Sequence, residues 1–237
     1  MPLCLQEDLH VHSTFSDGRS TLAENVERAA ELGLRRLGCV DHVRRDTPWV
    51  REFARSVDAL RRAGGPRLIV GVEAKLLDGF GTLDVPDDLT GVERIYVADH
   101  QFPLNGHCFP PRVIRDMLAD GTVTADTLVE SLVSATIRSI GRYPRVVLAH
   151  LFSILPKVGL SESLLTSQQL IRMSTVARMH GAWLEVDERW RCPGPRIVAY
   201  FRHLGVPTVA STDSHMAKRI GCFDYVAELA RHLEIAA

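Results

Sequence analysis

Seven short apolar runs recur along the chain, and each ends on, or is followed at once by, a side chain that can hold a metal ion or move a proton. In order they are Leu9 to His12, Arg36 to Val40, Leu68 to Glu73, RIYVADH ending at His100, RVVLAH ending at His150, Ala182 to Asp187, and VPTVASTDSH with its exit loop. Stretches of helical periodicity separate them. Thr21 and Glu24 fit a capping box, Leu22, Val26, Ala29 and Ala30 fall on one helical face, and Gly33 supplies a stop. Pro48 suits the first turn of a second helix, with Phe53, Val57 and Leu60 at helical spacing and Gly64-Gly65 at its end. Further helical stretches run from Pro111 to Gly141, from Ser167 to His180, through GPRIVAYFRHLG, and from Phe223 to Leu233. Strands alternating with helices predict βα units and a parallel sheet, and seven of them predict a barrel that is closed or nearly so.

In a βα barrel the C-terminal strand ends surround one mouth, where active sites are built. The sequence places His10 and His12, Asp41 and His42, Glu73, His100, His150, Glu185 and Asp187, and Asp213 and His215 at that end. Side chains two apart on a strand point the same way, so His10 and His12 share a face, as do Asp213 and His215. A lone histidine pair at this spacing is commonly polar strand surface. Several imidazoles converging on one buried end are a different matter, because desolvation and mutual repulsion oppose that arrangement unless a cation is present. A metal cluster removes the difficulty: neutral imidazoles donate lone pairs, and carboxylates offset the cations' charge.

Composition bounds the remaining choices. At 237 residues and 46% hydrophobic, the chain is long enough to bury a substantial core, and one domain over residues 1–237 is expected. With 28 basic and 29 acidic side chains the net charge is −1, which leaves no overall electrostatic footprint for a polyanion, so nucleic acid is not an expected partner. The N-terminal residues lack a basic start followed by an apolar run, and no apolar stretch reaches the ~18 residues of a membrane span. A cytoplasmic protein is expected. Cys4, Cys39, Cys108, Cys192 and Cys222 are scattered without a CxxC pair, so they read as separate thiols and not as a disulfide frame.

The segments DLHVHSTFSDG, the VDH after the second strand, GVE at 71 to 73, the strand-end His100 and His150, and STDSH at 211 to 215 resemble, in order, the motifs of the PHP (polymerase and histidinol phosphatase) family. The resemblance implies a distorted (β/α)7 TIM-like barrel holding two or three divalent ions, of zinc, manganese or iron, at the strand C-termini. It implies nine metal ligands: His10, His12, Asp17, His42, Glu73, His100, His150, Asp213 and His215. In the family arrangement His10, His12, Glu73 and Asp213 would hold one ion. Glu73 would bridge to a second ion held by His100 and His150, and Asp17, His42 and His215 would hold a third. Asp8 and Asp41, each close before a ligand, are read as acids that orient imidazoles.

The reaction expected from this resemblance is hydrolysis of a phosphate monoester by a metal-bridging hydroxide, with Asp17, His42, Asp213 and His215 closest to the chemistry. The segments GVERIYVADHQFPL, VVLAHLFSILPK, AWLEVDERWRCPGPRIV and GVPTVASTDSH lean toward the stand-alone histidinol-phosphatase branch. Its substrate would be a small phosphorylated metabolite, either histidinol phosphate or a sugar or nucleoside phosphate. Cationic loop residues should hold the phosphate, and the candidates are Arg191 first, then Arg189, Lys157 and Arg196, with Trp190 as a substrate contact. The alternatives are a phosphodiesterase or 3′-5′ exonuclease of the same family, or a non-catalytic module serving as a scaffold. His107, His180, His203 and His232 read as surface or structural residues, and DGFGTLD as a turn.

Overall fold

The computed structural model describes residues 3–62 and 64–235. Seven parallel strands form one sheet: β1 (Glu7–Val11), β2 (Arg36–His42), β3 (Arg67–Lys75), β4 (Arg94–Ala98), β7 (Val146–Leu148), β8 (Trp183–Asp187) and β9 (Thr208–Ser211), in that spatial order. The two edges meet just beyond their ends, where His12 N–H donates to the Ser214 carbonyl at 2.8 Å and Ser214 N–H to the His10 carbonyl at 3.2 Å. That exchange brings the sheet round into a nearly closed barrel.

The inward faces of the strands build a small apolar plug of Leu9, Val40, Ile69, Tyr96, Val147, Ala149 and Val209. The outward faces join a larger core with the helices. These are α1 (Leu22–Glu31), α2 (Val50–Arg61), α3 (Pro111–Ala119), α4 (Ala125–Arg142), α5 (Ser167–Met179), α6 (Pro195–His203) and α7 (Tyr225–Ile235). Helix α1 starts on the expected capping box: the Thr21 hydroxyl accepts from Glu24 N–H, and the Glu24 carboxylate accepts from Thr21 N–H. Its Leu22, Val26 and Ala29 are buried, a stripe set by the 3.6-residue period.

Close approach inside the barrel depends on two glycines. A Cβ on Gly38 would lie 2.1 Å from the Leu9 carbonyl oxygen, and one on Gly71 would lie 2.6 Å from the Tyr96 ring. The Tyr96 hydroxyl itself donates to the Leu9 carbonyl. Beside this contact the β1–β2 register slips between Asp8 and Val11, so Leu9 enters the interior plug while Val11 joins the outer core. Simple alternation puts Leu9 and Val11 on one face; the irregularity separates them and carries His10 and His12 to the mouth.

Other elements depart from the sequence reading in their bounds. The expected fourth strand stops at Ala98, leaving Asp99 and His100 in the turn beyond it. The expected helix from Pro111 to Gly141 is two helices, broken at Asp120 and at Gly121, whose φ of 77° a helix does not accommodate. Between β4 and α3 lies an antiparallel hairpin, β5 (Phe102–Leu104) with β6 (His107–Phe109), that periodicity did not signal. DGFGTLD forms a tight turn, with Leu76 bridged to Leu83 and the Asp78 carboxylate accepting from Phe80 and Thr82 N–H. Among the described residues no helix is long and apolar enough to cross a membrane.

Candidate metal centre

Glu73, near the end of β3, is the hub of the mouth. One carboxylate oxygen lies 3.3 Å from both His10 Nε2 and His12 Nε2 and 3.0 Å from His42 Nδ1. The other lies 3.0 Å from His150 Nε2 and 3.2 Å from His100 Nε2. Asp17, brought over by the turn after β1, forms a second node: it is 3.2 Å from His215 Nε2, and 3.5 Å from His42 Nε2 and His12 Nδ1. Asp213 links the two, at 3.1 Å from His12 Nε2 and 3.6 Å from His215 Nδ1. All nine side chains expected as ligands thus belong to one connected cluster.

Its spacing suits ions. Donors round a four-coordinate ion with bonds of about 2.0–2.1 Å sit roughly 3.4 Å apart, close to the separations seen here. Donor atoms of His10, His12 and Glu73 converge, as do those of His42, Glu73 and His100, and those of His12, Asp17, His42 and His215. His12 Nδ1 is buried without a hydrogen-bond partner, and His10 Nε2 faces His12 Nε2 at 3.1 Å with one Glu73 oxygen 3.3 Å from both. A cation accounts for both features, so the residues present fit divalent metal. The grouping differs from the expected division: His12 and His42 each approach both the Glu73 and the Asp17 nodes, whereas a neutral imidazole has one free lone pair.

The tautomers are set from behind. His10 Nδ1–H donates to Glu185 at 2.8 Å, so the neutral ring presents its lone pair at Nε2 toward Glu73. The other Glu185 oxygen accepts from the His150 backbone N–H at 2.6 Å, pinning a residue whose φ is 30°. His150 Nδ1–H donates to Ser153 at 3.0 Å, and Ser153 donates to Asp99 at 2.8 Å. Asp8 and Asp41, expected to orient imidazoles, do not. Asp8 accepts from Thr212 N–H, Thr212 hydroxyl and Gly221 N–H. Asp41 accepts from Ser13 N–H and from the hydroxyls of Ser13 and Ser16. They clamp the loops that carry the ligands, whereas Glu185, Ser153 and Asp99 do the orienting. Sequence placed Glu185 at the mouth without distinguishing a tether from a ligand, and nothing local marked Ser153 or Asp99.

Charge in the metal-free cluster follows from burial and contact. Burial opposes a proton on His12, yet Asp213 and Glu73 outweigh it and push the imidazole up to about 9. Burial likewise opposes a charge on Glu73, and the bonds from His10, His100, His12 and His150 hold its carboxyl well below the usual range. Burial, with Glu185 and Asp213 nearby, raises Asp187 well above an ordinary carboxyl. It accepts from Trp190 N–H and stands outside the ligand cluster.

Of the cationic candidates, the structure brings two to this rim. The Arg189 guanidinium donates to the Asp213 carboxylate at 3.2 Å and lies against His215. Lys157 Nζ lies 4.2 Å from the Trp190 ring centroid, and Arg189 stacks on the same ring at 5.5 Å. Trp190 Nε1–H donates to Asp213 at 2.9 Å, with its ring 6.1 Å from that of His150. Arg191, the first choice from sequence, turns instead to Glu228 and Tyr225, and Arg196 to the Leu165 carbonyl and Tyr200. A φ of 52° at Arg191 sends the chain and its side chain away from the direction expected of a strand exit. His107, His180, His203 and His232 are exposed.

Two clefts open beside the cluster. One of 580 Å³ is lined by Asp17, Arg19, Arg189, Asp213, His215 and Arg219 among others. One of 470 Å³ lies over His42 and His100 and is walled by Phe15, Trp49 and Lys75. Both are of the size that small-molecule ligands occupy. Asp17 is 53% exposed while His10 and His12 are fully buried, so the cluster is open to solvent on the Asp17 side.

The profile of the PHP domain family matches residues 8–150. A probable phosphatase of Clostridium novyi (strain NT) is 24% identical over 227 residues, covering 94% of this chain and 84% of that protein. The DNA polymerase/3′-5′ exonuclease PolX of Bacillus subtilis is 30% identical over 146 residues, 58% of this chain and 25% of PolX. Among solved structures, histidinol phosphate phosphatase from Lactococcus lactis, complexed with zinc, L-histidinol and phosphate, superposes with a TM-score of 0.66 at 16% identity, covering 96% of this chain and 91% of that one. That likeness is one of fold.

Proposed function

The chain belongs to the PHP domain family, and from that premise we propose that it is a metal-dependent phosphatase acting on the phosphate monoester of a small metabolite. The observation that carries the reading is the convergence of six imidazoles on the carboxylates of Glu73, Asp17 and Asp213 beneath a cationic rim. The probable phosphatase of C. novyi, aligned over nearly the whole chain, supports the activity class. The zinc, L-histidinol and phosphate bound by the L. lactis enzyme support zinc as one ion and a small phosphorylated substrate. Histidinol phosphate, a sugar phosphate and a nucleoside phosphate are the candidates.

When bound, two or three divalent ions, of zinc, manganese or iron, supply Lewis acidity to the phosphoryl group and bring the acidity of water toward neutrality. His10, His12, Glu73, His150 and Asp213 would provide the buried part of the ligand set, and Asp17, His42, His100 and His215 the more exposed part. Glu185 and Ser153 hold the imidazole edges of His10 and His150 so that each presents Nε2. Arg189 offers a guanidinium fork to phosphoryl oxygens, and Lys157 a point charge against the Trp190 ring. Trp190 fixes the Asp213 carboxylate through its indole N–H and covers the cluster on the His150 side.

The test is phosphate release by the protein reconstituted separately with zinc, manganese and ferrous iron. The panel holds histidinol phosphate, sugar phosphates and nucleoside monophosphates, beside bis-nitrophenyl phosphate and a single-stranded oligonucleotide. The reading requires monoester turnover that His10→Ala and Asp213→Ala each abolish with loss of bound metal. Cleavage of the diester or oligonucleotide alone would assign a phosphodiesterase or exonuclease, and no turnover with any metal would leave a non-catalytic module.

A further inference from the structure

The end of the barrel opposite the mouth carries a concentration of charge that the overall balance of the chain conceals. Glu7, Arg36 and Arg67 are in register across β1, β2 and β3, and registered residues of parallel neighbours face the same side. Glu7 is buried, and Arg36 reaches it with both Nε and Nη2. Arg94 opens β4, Arg145 immediately precedes β7, and Trp183 opens β8 beneath the interior plug. The Arg94 guanidinium lies 3.6 Å from the Trp183 ring centroid, and that of Arg36 lies 5.9 Å from it.

Four arginines thus gather at this end with a single inward carboxylate, and Arg36 already engages it. Among the described residues no side-chain hydrogen bond or ion pair engages the guanidinium groups of Arg67, Arg94 or Arg145, which contrasts with Arg36. Burial, together with the charges of Arg145 and Arg36, lowers the basicity of Arg94. A guanidinium has five N–H donors in one plane. The indole covers one face of Arg94 and leaves its edge free for an in-plane acceptor with several oxygens and more than one negative charge.

We propose that the barrel floor is a second anion site, taking a phosphate-class dianion between the guanidinium edges of Arg94 and Arg145. The site is remote from the mouth and does not depend on its metals or its chemistry. The bland alternative is that the Arg94–Trp183 stack merely closes the barrel, with water on the free donors.

Calorimetric titration of the metal-loaded full chain with inorganic phosphate separates the two. The wild type should take up one more equivalent than the Arg94→Met/Arg145→Gln variant, and this difference reads the floor alone whether or not the mouth also binds phosphate. Arg145→Gln by itself, at an exposed position, should weaken the floor site about tenfold, since charge-assisted bonds are lost. Crystals soaked in selenate should show an anomalous peak beside Arg94 and Arg145. If the double variant does not fold, the single variant and the selenate peak decide. Equal stoichiometry in wild type and variants, no peak at the floor, or the same response to sodium chloride at matched ionic strength would overturn the proposal.

Discussion

Replacing Glu185 by glutamine is nearly isosteric and removes the residue that sets the edge of His10. Both Glu185 and His10 are fully buried, and each carboxylate oxygen accepts one hydrogen bond: 2.8 Å from His10 Nδ1–H and 2.6 Å from the His150 N–H. A glutamine has one oxygen and one NH2, so one of the two donors must meet another donor. If the NH2 faces His10, the ring does best to expose its lone pair at Nδ1 and carry its proton on Nε2, the atom that faces Glu73 and the proposed ion. If it faces His150, the strained backbone at φ 30° loses its anchor. Either outcome acts on the ligand set from behind. Partners of ligating histidines are worth roughly 10–100-fold in metal affinity, equivalent to about 1.4–2.7 kcal/mol at 1.36 kcal/mol per factor of ten. Competition of the Glu185→Gln protein against a calibrated chelator should show a loss in that range, with circular dichroism unchanged. Affinity within twofold of wild type would refute the claim that Glu185 holds His10 in its ligating tautomer.

Further outcomes follow from the same geometry. His12, raised from an ordinary 6.5 to about 9, must lose a proton to bind an ion, as must His10 and His150, also raised by neighbouring carboxylates, so ion affinity should climb at least about tenfold per pH unit up to about pH 9. In the metal-free chain the sign is opposite: the His12 contribution to stability is complete below its ordinary 6.5 and is lost as pH rises through about 9, while that of Glu73 is lost as pH falls below its ordinary 4.5. Thermal melts across pH, with and without chelator, check both. Arg189→Met should raise KM for the substrate by about tenfold or more with metal content retained, whereas Arg191→Ala, directed at Glu228, should leave KM within about twofold. Gly38→Ala, whose Cβ meets the Leu9 carbonyl at 2.1 Å, should lower stability by roughly 3 kcal/mol, read by denaturant unfolding.

The sequence revealed the strand ends and, through them, the site. The rule that matters there is short-range: a residue at or just past the end of an apolar run in a βα unit reaches the mouth, as eight of the nine expected ligands do, while Asp17 arrives by the turn after β1. What it left out depends on direction and on distant partners. Glu185 alternates inward like a ligand, but its oxygens are taken by His10 and His150, residues brought beside it only by the closed sheet. Asp8 and Asp41 precede ligands in sequence, yet face outward and clamp Thr212, Ser13 and Ser16. Arg191 and Arg189 are equivalent in composition, and a left-handed backbone at Arg191 decides between them. The net charge of −1 was an average: carboxylates cluster at the mouth and arginines at the floor, and a sum over the chain cannot show their separation.

Metal content per chain tests the central claim most directly. The purified protein, loaded with zinc and passed through gel filtration, should retain two or three ions by elemental analysis, and Glu73→Gln, which disturbs the hub shared by five histidines, should lose at least one of them. Retention of less than one ion by the wild type, or an unchanged content in Glu73→Gln, would contradict a metal centre organised round that carboxylate.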